Sequence, residues 1–457
     1  MNLDSNTYQR LNIRIVKLID LLLLTAVFAL CWGLYYAYEM TYPFYHLGDY
    51  IMIGLFFVID YLITRLYRGY AIHLSRVSDL VYSQTLAVFI TDGLLYIVIT
   101  LVNRHLMNPL PLIAALIVQG VIIVIWSLTV HRWYLHTHPP VPAVLVCDEY
   151  RMNVDHIMKN YDMDAHFKET DIILAKDIVE DIPSSILKDA GVVFICGLHS
   201  HERNIIVKYC VAHNIVSYVI PRIGDVIMSG AEKIQLFHLP MFMVHHYAPT
   251  PEYLFLKRLM DIILSLIAVV IFSPFMIVTA IAIKATDGGS IFYRQRRLTK
   301  DGKEFDVLKF RSMRMDAEKD GVARLSTGEN DPRITKVGRI IRAIRFDELP
   351  QLLNILQGDM TIVGPRPERP EISAQYEKDI PEWPLRLQCK CGLTGYAQVY
   401  GQYNTTPYDK LLMDLMYIAK PSLAEDIKII FATVKILFMK ESTAGVAEGQ
   451  TTAMGKK

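Results

Sequence analysis

The sequence predicts a membrane α protein combined with α/β domains: a four-helix transmembrane region, a degenerate Rossmann-like domain, and a re-entrant membrane helix leading into a small α/β catalytic domain. Three observations carry this. Of 457 residues, 52% are hydrophobic and only 20% charged, and mean hydropathy is +0.27, high for a chain without membrane segments. The first third holds four separate apolar runs. After it, short apolar runs alternate with amphipathic ones, the signature of a parallel sheet with crossover helices.

The apolar runs cover 15–36, 50–66, 80–102 and 112–130, the second being the shortest. Each is near the ~20 residues that span a bilayer as a helix. Arg10, Arg14 and Lys17 precede the first run, and Arg65, Arg68 and Arg76 separate the second from the third. Residues 39–49 hold no Lys or Arg. Basic residues mark the cytoplasmic side, so the N-terminus is expected there, and four crossings return the chain to the cytoplasm by Arg132. No small-residue cleavage pattern follows the first run, which reads as an anchor. Asp20, Asp60 and Asp92 mark either a polar path or helix ends and helix–helix contacts. Residues 1–138 form this region.

His138-Pro139-Pro140 signals a linker. Segments 143–147, 191–196 and 215–220 read as strands, and 152–161 and 201–213 as helices, giving a Rossmann-like domain over 139–250. The turn after its first strand, Cys147-Asp148-Glu149-Tyr150-Arg151, has no GxGxxG. Those glycines let the backbone approach a pyrophosphate, so no dinucleotide is expected here. A regulatory or assembly role is the default. Cys31, Cys147, Cys196, Cys210, Cys389 and Cys391 show neither CxxC nor Cys/His spacing and read as free thiols in a reducing compartment.

Segment 259–285 is apolar apart from Asp261 and Lys284. A fifth crossing there would put everything downstream outside the cell, yet both flanks are basic. Ser273-Pro274 sits in its middle, where proline removes a backbone donor. A broken helix that enters and leaves by one face satisfies these facts, and a kinked spanning helix is the alternative. Between Arg294 and Arg345, 15 Lys+Arg stand against 8 Asp+Glu, an excess of +7. Such a run next to a membrane segment suits anionic headgroups or phosphorylated substrates, and nucleic acid is not expected. Asp301-Gly302 signals a hairpin, and Gly392-Leu393-Thr394-Gly395 a turn. Segment 408–419 is helical, and 423–440 is amphipathic, with Ile427, Ile430, Phe431, Val434, Leu437 and Phe438 on one side. That last helix lies on the membrane or on the catalytic domain. Residues 251–440 make the catalytic domain, and 441–457 a disordered tail.

Within it, Asp347 and Glu348 open an apolar pattern made by Leu349, Leu352, Leu353 and Leu356. Pro350 fits the first turn of a helix starting close to Asp347. That helix would present both acids at its positive end, where phosphate is readily held. Neighbours on a helix point ~100° apart, so one acid can face a reacting atom while the other holds a metal. An N-terminal cap with favourable first-turn charge is the simpler reading of the pair alone.

Lys309-Phe310-Arg311-Ser312-Met313, Asp347-Glu348-Leu349-Pro350-Gln351, and Gly358-Asp359-Met360 running into Gly364-Pro365-Arg366-Pro367-Glu368 together resemble the bacterial sugar transferase family. These are the monotopic polyprenyl-phosphate phosphoglycosyl transferases. Gly392-Leu393-Thr394-Gly395 with Gln398-Val399, then Asp414, Tyr417 and Asp426, extend the resemblance, which covers about 253–440. The N-terminal part is similar to the long form that initiates exopolysaccharide, capsule or O-antigen units.

The resemblance implies transfer of a sugar 1-phosphate from a UDP-sugar to undecaprenyl phosphate, with release of UMP, at the cytoplasmic face of the bacterial inner membrane. It implies Asp347 as nucleophile and Glu348 as ligand to Mg²⁺. Lys309, Arg311, Arg342, Arg366 and Glu368 are the candidate substrate-binding residues, each basic one with a structural ion pair as its alternative role. Ser273-Pro274 matches the family's helix-breaking pair. Arg345, Phe346 and Cys391 depart from the pattern, the last where a proline usually precedes the GLTG turn. The sugar is not identified, an unacetylated hexose such as glucose or galactose being the expectation. A homodimer through the N-terminal half is one open arrangement.

Two competing readings remain at this point. A membrane nucleotide-sugar dehydratase or epimerase would need the missing glycine fingerprint. A non-catalytic polysaccharide-assembly scaffold would not need Asp347, Glu348 and Arg366 together.

Overall fold

Four helices account for the apolar first third: α1 (Leu3–Cys31, prolonged by a π-turn at Trp32–Tyr36), α2 (Gly48–Leu66), α3 (Val77–Asn103) and α4 (Leu110–Thr137). The computed structural model describes residues 3–41, 43–44, 47–72, 75–147, 166–174, 187, 190–315, 333–401 and 405–437. The helices pack in a ring, α1 on α2 and α4, and α3 on α2 and α4. Leu24, Phe28, Trp32, Phe56, Val88 and Ile123 fill the centre, while Leu22, Leu30, Ile97, Ile117 and Ile125 point outward. Helices that are apolar on all sides suit lipid surroundings. Asp20, Asp60 and Asp92 are buried inside the ring, 0%, 0% and 3% exposed. Among the described residues, four helices are long and apolar enough to cross a membrane: Leu11–Glu39, α3, α4 and Pro251–Thr286. The 19-residue α2, with Asp49, Asp60 and Arg65, does not meet that measure, although its length of about 28 Å approaches a bilayer's hydrocarbon thickness.

A four-stranded parallel sheet follows, made of β1 (Val141–Cys147), β2 (Phe167–Leu174), β3 (Val192–Cys196) and β4 (Val216–Val219) in the order β2-β1-β3-β4. The α5 helix (Ser200–Ala212) links β3 to β4, and this order is that of doubly wound folds. β2 was not expected from the sequence. The expected helix at 152–161, and the turn lacking glycines, lie outside the described residues. Residues 1–220 form one compact unit and 221–457 a second.

Residues 221–250, grouped on sequence grounds with the Rossmann-like domain, belong to the second unit. α6 (Ile223–Ser229) buries Ile223 and Val226 in a core shared with Ile355, Val363, Leu411, Leu415 and Ile429. Each fully buried side chain of this size contributes about 1.5–3 kcal/mol. The hairpin of β5 (Glu232–Leu236) and β6 (Leu239–Met243) turns on Phe237 and His238, both left-handed. Then comes α7 (Pro251–Asp287), capped by Thr250 and stopped by left-handed Gly288. It stays helical through Pro274, so the break expected there is absent as an interruption. The local reason is visible. Pro274 has no N–H for the Val270 carbonyl four residues back, and the Ser273 hydroxyl donates to that carbonyl instead, at 2.9 Å.

Both ends of α7 are fixed to this second unit. Near its start, Lys257 donates to the Val363 carbonyl and to Asp426, Arg258 to the Ile355 and Leu356 carbonyls, and Asp261 accepts from Thr361 and Ile362. Near its end, Ile283 packs with Phe310 and Ile341.

Antiparallel β7 (Phe292–Leu298) and β8 (Glu304–Phe310) form the expected hairpin, with Asp301 and Gly302 both left-handed. Next come α8 (Lys336–Ala343), α9 (Gln351–Gln357), β9 (Thr361–Val363), α10 (Pro370–Asp379) and β10 (Gly392–Thr394). α11 (Tyr396–Tyr400), α12 (Pro407–Ala419) and α13 (Leu423–Leu437) complete the unit. The segment expected as a GLTG turn is strand β10, paired in parallel with β9. A Cβ at Gly364 or Gly392 would strike the backbone of the opposite segment, so these glycines permit close strand approach. On α13 the buried face is Asp426 and Ile429, with Ile430 alongside, whereas Ile427 is exposed. The helix therefore packs on the second unit, rotated from the face expected. The segment 441–457, expected to be disordered, lies outside the described residues.

Candidate active site

Alternation along β8 sends Phe310 into the apolar cluster with Ile283 and Ile341 and Lys309 to the other face. There Lys309 Nζ donates to Glu348 Oε1 at 3.0 Å. Arg366 Nη2 donates to the same oxygen at 3.1 Å from the segment following β9. Three distant stretches of the sequence thus meet at one carboxylate.

The two acids do not open an α-helix as expected. They occupy a 3₁₀ turn, Phe346–Glu348, and α9 starts only at Gln351. Pro350 has no N–H for the Phe346 carbonyl, which instead accepts from Leu349, three residues on, at 3.2 Å. Arg345, one of the departures from the family pattern, is left-handed with φ 55° and turns the chain out of α8.

The site's charges treat its acids differently. Burial alone would raise the Glu348 carboxyl, but Lys309, Arg366 and Arg345 outweigh it and hold Glu348 well below the usual carboxylate range. The Asp347 carboxyl is pushed up by burial and by the neighbouring Glu348 charge, against the opposing pull of Lys309 and Arg342. Two adjacent carboxyls in unlike environments suit different roles.

Arg297, Lys309, Gln351 and Arg366 line one cleft, floored by Val307, Pro367 and Gly392. Arg297 was missed in the sequence because nothing distinguished it within the basic run. Burial holds its guanidinium below the usual arginine range, at about 10, with Arg366 and Arg369 adding to the effect and Glu368 opposing it. Of the other candidates, Arg342 acts on Asp347 from the last turn of α8. Glu368 pairs with Arg297 at 3.6 Å, a structural contact. Arg311 is buried, its guanidinium packed over Gly289, and it is not among the groups bonded to Glu348. Ser273 and Pro274 lie between Phe272 and Phe275, whose rings both meet Phe346, at 5.8 and 6.3 Å between centroids. Cys391 is buried at 3% exposure, and its N–H, which a proline would lack, reaches the Thr299 hydroxyl at 3.4 Å.

Among the described residues, no group of three or more His, Cys, Asp or Glu is placed to hold a metal. Both ion pairs of Glu348 use Oε1, and Oε2 takes part in neither. A hard oxygen donor beside a cationic cleft fits Mg²⁺, which takes one or two carboxylates and completes its shell with water and substrate phosphates.

Residues 252–440 match the family described as bacterial sugar transferase. The chain is 37% identical over 231 residues to the UDP-N-acetylgalactosamine-undecaprenyl-phosphate N-acetylgalactosaminephosphotransferase of Aeromonas hydrophila, covering 50% of this chain and 53% of that one. It is 39% identical over 212 residues to the UDP-glucose:undecaprenyl-phosphate glucose-1-phosphate transferase of Escherichia coli (strain K12), covering 45% and 44%. The chain thus spans about half the length of these two relatives. An exopolysaccharide production protein of Rhizobium leguminosarum bv. phaseoli is 41% identical over 190 residues, 40% of this chain and 94% of that protein. With 94% of that shorter relative covered, and the family match lying in the second unit where Glu348, Lys309 and Arg366 meet beside Asp347, the chain belongs to the bacterial sugar transferase family.

Proposed function

We propose that this protein transfers a hexose 1-phosphate from a UDP-sugar to undecaprenyl phosphate, releasing UMP, at the cytoplasmic face of the bacterial inner membrane. One observation carries the reading: Asp347 stands beside Glu348, and Glu348 is held by Lys309 and Arg366 at the edge of a cationic cleft. The names of the Aeromonas and Escherichia relatives support the reaction class. They differ in the sugar, so the relatives leave it open.

In the first step an Asp347 carboxylate oxygen attacks the β-phosphorus of the UDP-sugar. The bond from that phosphorus to the bridging oxygen breaks, and UMP leaves with the oxygen. An aspartyl-phosphosugar remains. In the second step an oxygen of undecaprenyl phosphate attacks the same phosphorus, and the Asp347 carboxylate is restored. The raised Asp347 carboxyl is the more basic of the two acids, as a nucleophile should be. Lys309 and Arg366 face the phosphate oxygens, the guanidinium suiting a paired contact. Glu348 would hold Mg²⁺, which supplies charge neutralisation on the phosphates.

The reading extends to topology. With α1 to α4 all crossing, the second unit faces the cytoplasm. α7, fixed at both ends to that unit, enters and leaves the membrane on one side. A first-step product in exopolysaccharide, capsule or O-antigen assembly is the expected output. The test is UMP release by the full chain in nanodiscs, against UDP-glucose, UDP-galactose and their N-acetylated forms. Multiple turnovers should require undecaprenyl phosphate and divalent metal. No UMP from any of the four donors would remove the assignment.

A further inference from the structure

Arg366 reaches Glu348 from a segment that has little backbone bonding of its own. Pro365 and Pro367 carry no N–H, so this stretch can be held chiefly through its carbonyls. Four consecutive carbonyls each receive one donor. The Pro365 carbonyl accepts from the Gly392 amide at 2.9 Å and the Glu368 carbonyl from the Leu298 amide at 2.9 Å. Between them, the Arg366 carbonyl accepts from Arg386 Nη2 at 2.8 Å. The Pro367 carbonyl accepts from Arg297 Nη1 at 2.9 Å. Two inner carbonyls that no amide reaches are therefore served by guanidinium groups from opposite parts of the unit.

Each guanidinium is itself fixed. Arg386 is 3% exposed and Asp414 1%. Arg386 Nε donates to Asp414 Oδ2 at 2.8 Å, Nη2 pairs with the same oxygen at 2.6 Å, and the plane lies 4.5 Å from the Trp383 ring centroid. Arg297 Nε donates to Gln295 Oε1 at 3.1 Å, and its Nη1 lies 3.6 Å from Glu368. A planar fork with several donors can hold a carboxylate and a carbonyl at once, which an ammonium on a flexible stem does less well.

We infer that Arg386, oriented by Asp414, and Arg297 are positioning residues: they clamp the carbonyls of Arg366 and Pro367 and so fix the Arg366 side chain against Glu348. For its catalytic consequence the inference rests on the transferase reading, and for its structural consequence it does not. Arg366 can meet a transferring phosphate only if its backbone stays in place, and misplacing such a contact by about 1 Å can cost ~100-fold in rate. The clamp also explains why a buried Arg386 and a half-buried Arg297 lie close to the site without touching either acid.

The test uses the full chain in nanodiscs and the variants Arg386→Lys and Arg297→Lys, with Asp414→Asn should Arg386→Lys not fold. Amide exchange of Leu298 and Gly392, whose N–H groups donate to the two carbonyls flanking the clamped pair, is followed by mass spectrometry beside UMP release. The expected result is exchange faster by about tenfold at those two amides, with the thermal midpoint held within a few degrees. In the same variants kcat should fall about tenfold while KM for the UDP-sugar stays within about twofold. Unchanged exchange, with or without a fall in kcat, overturns the clamp, and faster exchange at full kcat overturns the positioning role. If the parent protein releases no UMP from any donor, the transferase reading fails, and the exchange measurement alone decides the clamp.

Discussion

Phe272 of α7 and Phe346 meet edge to face, with ring centroids 5.8 Å apart and planes at 83°. Phe346 immediately precedes Asp347, so the turn of the apolar helix that holds Pro274 touches the residue before the proposed nucleophile. Phe275 meets the same ring. An acceptor whose tail lies in the bilayer and whose phosphate must reach Asp347 would approach along this aromatic contact.

Replacing Asp347 with Asn should lower UMP release by about a thousandfold or more, since no other carboxylate at the site is free of strong cation pairing. The parent protein, given UDP-sugar without lipid acceptor, should gain the mass of one phosphosugar, and Asp347→Asn should not. A variant within tenfold of the parent rate would assign the nucleophile elsewhere.

The pH profile follows from the two unlike acids. The Asp347 carboxyl is raised, so the nucleophile is lost as pH falls through a value above the ordinary ~3.9 of aspartate. Removing the neighbouring negative charge in Glu348→Gln should move the acidic limb of kcat/KM to lower pH. A limb that stays in place or moves upward would mean that Asp347 does not set it.

Glu348 also bears on stability. Its carboxyl is held low in the folded protein, so the stabilisation is fully present above the unfolded value of about 4.3 and is lost as pH falls below that toward the depressed folded value. Thermal melts should show Glu348→Gln less stable than the parent at pH 7, with the difference shrinking below about pH 4. A constant difference across that window would contradict the ion-pair origin.

Lys257 and Asp426 form a buried pair at 3.0 Å. Lys257→Met leaves the Asp426 carboxylate buried without its cation and should cost about 3–5 kcal/mol. Adding Asp426→Leu should restore part of that stability, as read from thermal midpoints in detergent. Equal loss in single and double variants would mean the charge pairing is not the source.

The path of α7 can be read by labelling single cysteines at Glu252 and Thr286 in intact and permeabilised cells. Both should react from the same side. Reaction from opposite sides would make α7 a crossing helix.

Much of this was legible in the sequence because patterns of burial are local. Short apolar runs marked β1, β3 and β4, Asp301-Gly302 marked the hairpin, and apolar length marked α1, α3 and α4. Lys309, Glu348 and Arg366 could be brought together by resemblance, and the structure joins them through one oxygen. The 3₁₀ turn was not legible, since it depends on both the missing Pro350 donor and left-handed Arg345. Nor was β10, whose pairing with β9 needs two glycines 28 positions apart (364 and 392) to face one another. Arg297 and Arg386 escaped because the contacts that tie them to the Arg366 segment are to backbone carbonyls, which carry no side-chain signature.

Lys257 and Arg258 precede the apolar segment and Asp261 lies just inside it, yet each is bonded to β9, α9 or α13. The start of α7 is therefore fixed by protein contacts. At this end the apolar helix is an extension of the second unit. Changing the anionic lipid content of the bilayer should leave its seating, and the height of Asp347 above the hydrocarbon, where the protein puts them.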